Sequence, residues 1–317
     1  MSDIDVSARG PDWHATRLKH VGASEVSALF GIQPDYALSR YALWHVKAGH
    51  VPPPPVDSER IRWGLRLEPF IAEGAAERYG WIIRKGGYVT DPTTPQMGCT
   101  LDYIIAEPAE AELELGFSGP GAMELKNSDW MVHRRTWTDG EPPPHILLQL
   151  QHQLACTGYS WGVVVCLVGG NDLQAYRYAA RPRLIADIRA RVAAFWQSIR
   201  DGAEPDPDGS DGADHVLRAL YHEMVDDIID LNGDNELPTL CGELLARIEE
   251  RKTAADAEAD LKAQIMGKLG PHRKAWTQGY FVNMSVTPEN PGRVAKPGEI
   301  VGKRKEVRRV MVKESAQ

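Results

Sequence analysis

The order of apolar and turn-forming segments predicts an α/β fold. A mixed β-sheet flanked by helices occupies residues 1–200, and a helical extension follows. Three observations carry this reading. Runs with helical spacing bracket a block of short β-branched and aromatic runs, a strand pair surrounds the turn GGND at 169–172, and composition changes abruptly after residue 200. The hydrophobic fraction of 43% and charged fraction of 25% are ordinary for a globular chain, so a disordered polymer, a collagen and a disulfide scaffold are excluded.

Taken in order, residues 24–31 (SEVSALFG) predict a short helix capped by Ser24 and closed by Gly31. Residues 41–49 predict another, broken by the PPPP run at 52–55. From Glu59 to Tyr79 the spacing of Ile61, Leu65, Leu67, Phe70, Ile71 and Tyr79 predicts helix, with Pro69 best placed in a first turn, where its missing N–H costs nothing. Strands are expected at 81–84, 87–90, 99–105 and 122–126, with a loop over 106–121. After the PPP run at 142–144 come an amphipathic helix at 145–157, a strand pair at 161–168 and 173–179, and a long helix at 183–200.

Residues 201–235 form an acidic connector, with eleven acids and one base, Arg218. Residues 236–317 are expected to hold a helical hairpin and a basic tail, since the stretch from Leu269 carries ten bases against four acids. The net charge of −8 argues at first against a polyanionic partner. With the connector set aside, the rest holds 35 basic against 33 acidic residues, and that objection falls. The cysteines, Cys99, Cys156, Cys166 and Cys241, form no C-x-x-C pair and are expected to be reduced core residues of a cytoplasmic protein. No apolar run approaches the roughly 20 residues that span a bilayer.

The chemistry concentrates in AMELK followed by Asn127. In a strand, Glu124 and Lys126 share a face while Leu125 points into the core. A carboxylate beside an ammonium suits a hard cation and an activated water. Asp102, in another strand-like run, and Glu68, beside Pro69, are further oxygen donors. An isolated E-x-K triplet is uninformative; the order helix-Glu, strand-Asp, strand-ExK, helix-Gln within one α/β unit is what distinguishes this chain.

With those residues in place, the chain resembles the PD-(D/E)XK nucleases, and within them the YqaJ-type viral recombinases related to phage lambda exonuclease. The matching pieces are WHATRLKHVGASEV (13–26), WGLRLEPFIAEGAAERYG (63–80), GCTLDYII (98–105), MELKN (123–127) and ILLQLQHQLACTG (146–158). The resemblance implies a PD-(D/E)XK restriction-endonuclease-like core. It implies Asp102, Glu124, the Leu125 carbonyl and Glu68 as metal ligands, Lys126 as the catalytic lysine, and Gln149 as the glutamine behind the site, with Gln151 as the alternative register. Arg17 and Ser24 match positions that hold a DNA 5′-phosphate. Asn127 departs from the family's usual threonine, and the 106–121 loop is acidic; neither change touches a ligand.

The implied activity is a Mg2+-dependent exonuclease (Mn2+ substituting) acting on ends of linear double-stranded DNA, 5′-to-3′, feeding a single-strand annealing recombinase. A homo-oligomer such as a trimeric ring in a bacterial host's cytoplasm, with no membrane association, is implied too. Alternatives are a RecB-like nuclease or endonuclease, or a non-catalytic DNA-binding assembly protein on the same fold. Trp130, Arg134, Arg135 and Trp137 are candidate DNA contacts by stacking and phosphate binding. The histidines, lacking H-x-x-x-H spacing, are read as packing residues, and the basic run from Lys303 to Lys313 as either a DNA contact or a solvated tail.

Overall fold

The computed structural model describes residues 11–54, 58–223 and 225–284. The chain divides into two compact units, residues 1–224 and 225–317.

The first unit opens with α1 (Pro11–Leu18) and a 3-10 turn at Val26–Phe30, closed by Gly31 at φ 66°. Helix α2 (Arg40–Ala48) is capped by the Ser39 hydroxyl, and α3 (Glu59–Tyr79) by that of Ser58. Strands β1 (Ile82–Lys85), β2 (Tyr88–Thr90), β3 (Gly98–Thr100) and β4 (Tyr103–Glu107) follow. Next come the short α4 (Glu110–Glu114), β5 (Gly121–Ser128), α5 (Trp130–Thr136) and α6 (Pro144–Thr157). Strands β6 (Trp161–Val168) and β7 (Asp172–Ala179), then α7 (Pro182–Arg200) and α8 (Asp211–Leu220), complete the unit.

The main sheet runs β1-β4-β5-β6-β7. Only β5 and β6 pair in parallel among these neighbours, which requires the crossover made by α5 and α6. Alternation along β5 and β6 builds two cores. Met123, Leu125, Trp161, Val163 and Val165 pack with Ile71, Ala72 and Ala75 of α3. Ala122, Val164, Cys166 and Val168 face Leu150 and Leu154 of α6 and Ile188 and Val192 of α7.

Several expectations are corrected in this unit. The run 99–105 is not one strand: β3 pairs with β2 in a separate two-stranded sheet, and the chain crosses to β4 at Leu101–Asp102. The crossing is held by the β1–β2 loop, where Leu101 N–H donates to Gly87 O at 3.0 Å and Gly86 N–H to Asp102 O at 3.1 Å. Gly86 is required there, because a Cβ would fall 2.3 Å from the Leu101 carbonyl oxygen. Pro69 lies inside the 21-residue α3 rather than in a first turn, and Glu68 with it. The apolar face of α3 on the sheet holds the helix together there, although Pro69 has no N–H for the carbonyl one turn back. Ser24 does not cap the following turn, whose N-cap is Glu25. The 106–121 loop contains α4, whose Glu112 is fully buried and bonded to Arg177 at 2.5 Å.

The acidic connector is also partly folded. Ala213 and Val216 of α8 pack on Tyr41, Ala42, Val46 and Val51, so the first unit extends past residue 200. In the second unit a single 33-residue helix, α9 (Leu237–Leu269), replaces the expected helical hairpin. Its alanine-rich middle, Ala254, Ala255, Ala257 and Ala259, contains no breaker. A β-hairpin, β8 (Lys274–Thr277) and β9 (Tyr280–Asn283), follows. The basic run Lys303–Lys313 lies outside the described residues.

Candidate active site

Strand β4 pairs with β5 only from Tyr103–Met123 to Ile105–Gly121. Beyond Met123 that side of β5 is released from β4, and a cleft of about 1120 Å³ opens along it. Arg17, Ser24, Glu68, Asp102, Glu124, Leu125, Lys126 and Gln149 all line this cleft. The sequence-predicted ligands, lysine, glutamine and phosphate-binding pair are therefore brought to one place, from α1, the turn that leads into the 3-10 helix, α3, the sheet crossing, β5 and α6.

Lys126 Nζ donates to Glu124 Oε1 at 2.6 Å and to Gln149 Oε1 at 3.0 Å, and Gln149 Nε2 donates to the same Glu124 oxygen at 2.7 Å. Burial presses the Lys126 pKa downward, but Glu124 and Asp102 outweigh it and hold the ammonium protonated. Asp102 Oδ2 accepts from the Leu125 N–H at 2.9 Å. Burial, then the charges of Glu124 and Glu68, push the Asp102 carboxyl well above the usual range, against the pull of Leu125 N–H and Lys126. Glu68 stands 3.6 Å from Lys85 Nζ.

Mutually repelling carboxylates at one cleft wall, with Lys126 and Lys85 beside them, form a donor set of the chemistry a hard dication takes. Among the described residues, however, no three His, Cys, Asp or Glu side chains are gathered closely enough to hold an ion. The hydrogen bonds account for the spread: Glu124 is engaged by lysine and glutamine, Asp102 by a backbone N–H, and Glu68 is drawn toward Lys85.

At the other end of the cleft Arg17 Nη2 reaches Ser24 Oγ at 3.4 Å and Glu25 Oε1 at 3.1 Å. Glu25 also binds the buried Lys47 ammonium at 2.8 Å and the Gly22 N–H at 2.8 Å. Lys47 donates in turn to Arg17 O at 2.8 Å. Burial alone raises the Glu25 pKa, yet Lys47, Arg17 and the Gly22 N–H bring it down to about 2. The corner that presents Arg17 is thus braced before any ligand arrives.

The candidate DNA-contact group separates. Trp130 is 54% exposed with the Arg134 guanidinium over its ring at 5.5 Å, and Arg135 is exposed. Trp137 is only 7% exposed and packs on Tyr176 and His133, so it is a core residue and not a contact. None of the four lines the cleft. Gln151, the alternative register, faces away, bonded to Ala179 O and Arg181 N–H. Sequence reasoning missed Glu25, Lys47, Lys85 and Gln153; only Gln153 carried a local signal, its four-residue spacing from Gln149.

Among the described residues no helix is long and apolar enough to cross a membrane. Residues 12–160 match the YqaJ-like viral recombinase domain. The chain is 26% identical over 279 residues to the uncharacterised protein YqaJ of Bacillus subtilis (strain 168), covering 84% of this chain and 82% of that one. The crystal structure of LHK-Exo in complex with dAMP superposes with a TM-score of 0.50 at 25% identity, over 62% of this chain and 95% of that chain. A second crystal structure, of the alkaline exonuclease LHK-Exo from Laribacter hongkongensis, gives 0.50 at 22% identity over 67% and 99% of the two chains. The mixed five-stranded sheet with flanking helices is that of the alkaline exonucleases of PD-(D/E)XK type. The matched span contains every cleft residue named from Arg17 to Gln149, so the part of the chain that builds the cleft is the part similar to the YqaJ-like viral recombinase domain.

Proposed function

We propose that this protein is a Mg2+-dependent exonuclease that hydrolyses linear double-stranded DNA from its ends in phage-type recombination. The observation that carries the reading is the joining of Glu124, Lys126, Gln149 and Asp102 to the Arg17–Ser24 corner in one cleft of a chain whose structural neighbours are alkaline exonucleases.

Asp102, Glu124, the Leu125 carbonyl and Glu68 are the residues that would hold Mg2+ or Mn2+. When bound, the ion supplies positive charge for the scissile phosphate and a lowered pKa for an attacking water. The chain's own groups do the rest. Lys126, kept cationic by Glu124, orients that water and offsets charge developing on the phosphate. Gln149 fixes both Lys126 and Glu124. Arg17 presents a planar fork, and Ser24 a hydroxyl, to a terminal 5′-phosphate. Trp130, Arg134 and Arg135 offer a stacking and phosphate surface outside the cleft. On the family resemblance, the reading extends to 5′-to-3′ polarity, a homo-oligomer around the duplex and a single-strand annealing recombinase as partner.

The test uses purified protein on linear double-stranded DNA with or without a 5′-phosphate, in Mg2+ or EDTA. Mg2+-dependent loss of duplex that favours phosphorylated ends is expected. Lys126→Ala should slow it by at least about 100-fold, the cost of removing one transition-state donor. Equal DNA loss in EDTA and Mg2+, or a Lys126→Ala rate equal to wild type, refutes the reading.

A further inference from the structure

We propose that Gln153 is a positioning residue of the cation site, acting through Glu124; this deepens the nuclease reading and rests on it. Gln149 and Gln153 lie one turn apart on the same face of α6. Gln149 binds one oxygen of Glu124, and Gln153 Nε2 donates to the other, Oε2, at 2.5 Å. Between them and Lys126, both carboxylate oxygens are fixed in direction on a side chain only 2% exposed.

The amide's other end shows that this contact is more than filling. A carboxylate only accepts, so the NH2 of Gln153 must face Glu124, and its Oε1 is turned away. That Oε1 is buried and has no hydrogen-bond partner among the described residues. A buried unpaired amide oxygen carries a desolvation cost that an apolar side chain of equal length would avoid. Leu150, three residues earlier and on the same side of α6, is a core residue. Gln151, equally buried, provides the contrast: its Nε2 donates to Ala179 O at 2.9 Å and its Oε1 accepts from Arg181 N–H at 2.7 Å. Gln151 ties the helix to the sheet edge. Among the described contacts, the Gln153 amide is satisfied only where it meets Glu124.

Such outer partners orient a ligating group, and their loss costs about 10–100-fold in metal affinity. The experiment compares full-length wild type, Gln153→Met, Gln153→Asn and Gln151→Met. It measures Mn2+ affinity by calorimetry, the thermal midpoint without metal, and nuclease rate against Mg2+ concentration. Both Gln153 variants should weaken Mn2+ binding about 10–100-fold and raise the Mg2+ half-saturation in parallel, with most of the rate recovered at saturation. Gln151→Met should lower the thermal midpoint and leave Mn2+ affinity unchanged. Gln153→Asn keeps the amide but cannot reach Glu124, so it decides the matter if the methionine variant does not fold. Wild-type Mn2+ affinity in the Gln153 variants, with only their stability reduced, overturns the proposal. Because calorimetry needs no DNA, the two readings fail separately: a wild type that binds Mn2+ but spares DNA refutes the nuclease alone.

Discussion

Glu25 offers a quantitative test of the corner that presents Arg17. Its side chain is 16% exposed and is held by Arg17, Lys47 and the Gly22 N–H. Those partners overcome the burial that would raise its pKa and bring it from 4.5 to about 2. At about 1.4 kcal/mol per tenfold change in proton affinity, the gap corresponds to about 3 kcal/mol. Because the folded value is the lower one, the unfolded chain takes up the proton first as pH falls. The stabilisation is therefore complete above roughly pH 5 and fades toward pH 2, with about 2 kcal/mol gone near pH 3 and about 3 kcal/mol near pH 2. Glu25→Gln removes this stabilisation. Urea unfolding of wild type and Glu25→Gln, followed by tryptophan fluorescence from about pH 6 downward, should show wild type ahead at neutral pH and the two curves converging by roughly 2 kcal/mol at pH 3. Curves that stay parallel over that interval refute the braced-corner argument.

The two tryptophans that flank Arg134 and Arg135 should part in experiment. Trp137→Ala, which empties a packed position, is expected to cost about 3–5 kcal/mol of stability by denaturant melting. Trp130→Ala should stay within about 0.5 kcal/mol of wild type and weaken DNA binding in a salt-dependent gel-shift series. Gly86→Ala places a methyl against the Leu101 carbonyl and should lower stability by about 1–3 kcal/mol, measurable as a reduced thermal midpoint.

How far the sequence reading reached depends on the range of the interaction involved. The period-two alternation of AMELK placed Glu124 and Lys126 on one face and Leu125 on the other, and β5 has that arrangement because alternation is a property of the strand alone. Gln149 was reachable only through the family resemblance, which left Gln151 as the alternative register. Asp102 was expected within a strand, but the break there comes from hydrogen bonds to a loop some fifteen residues earlier, which no local pattern encodes. Pro69 marked a helix start by propensity, and tertiary packing of α3 overrode it. Trp137 and Trp130 look alike in sequence, and only their neighbours separate core from surface. Lys47 and Glu25 met through folding, 22 positions apart in the chain.

The crossing at Leu101–Asp102 has a consequence for how the site fails. Asp102 stands where the small β2–β3 sheet hands the chain to the main sheet, while Glu124 is rooted in the centre of the main sheet. The distance between the two carboxylates is thus set across a seam, and the seam is held by a few loop hydrogen bonds rather than a continuous ladder. Partial opening of such a seam requires far less free energy than global unfolding. The amides of Gly86 and Leu101 should exchange with solvent well before those of β5 and β6, and a protein still folded by circular dichroism will already have lost the fixed spacing of its two carboxylates.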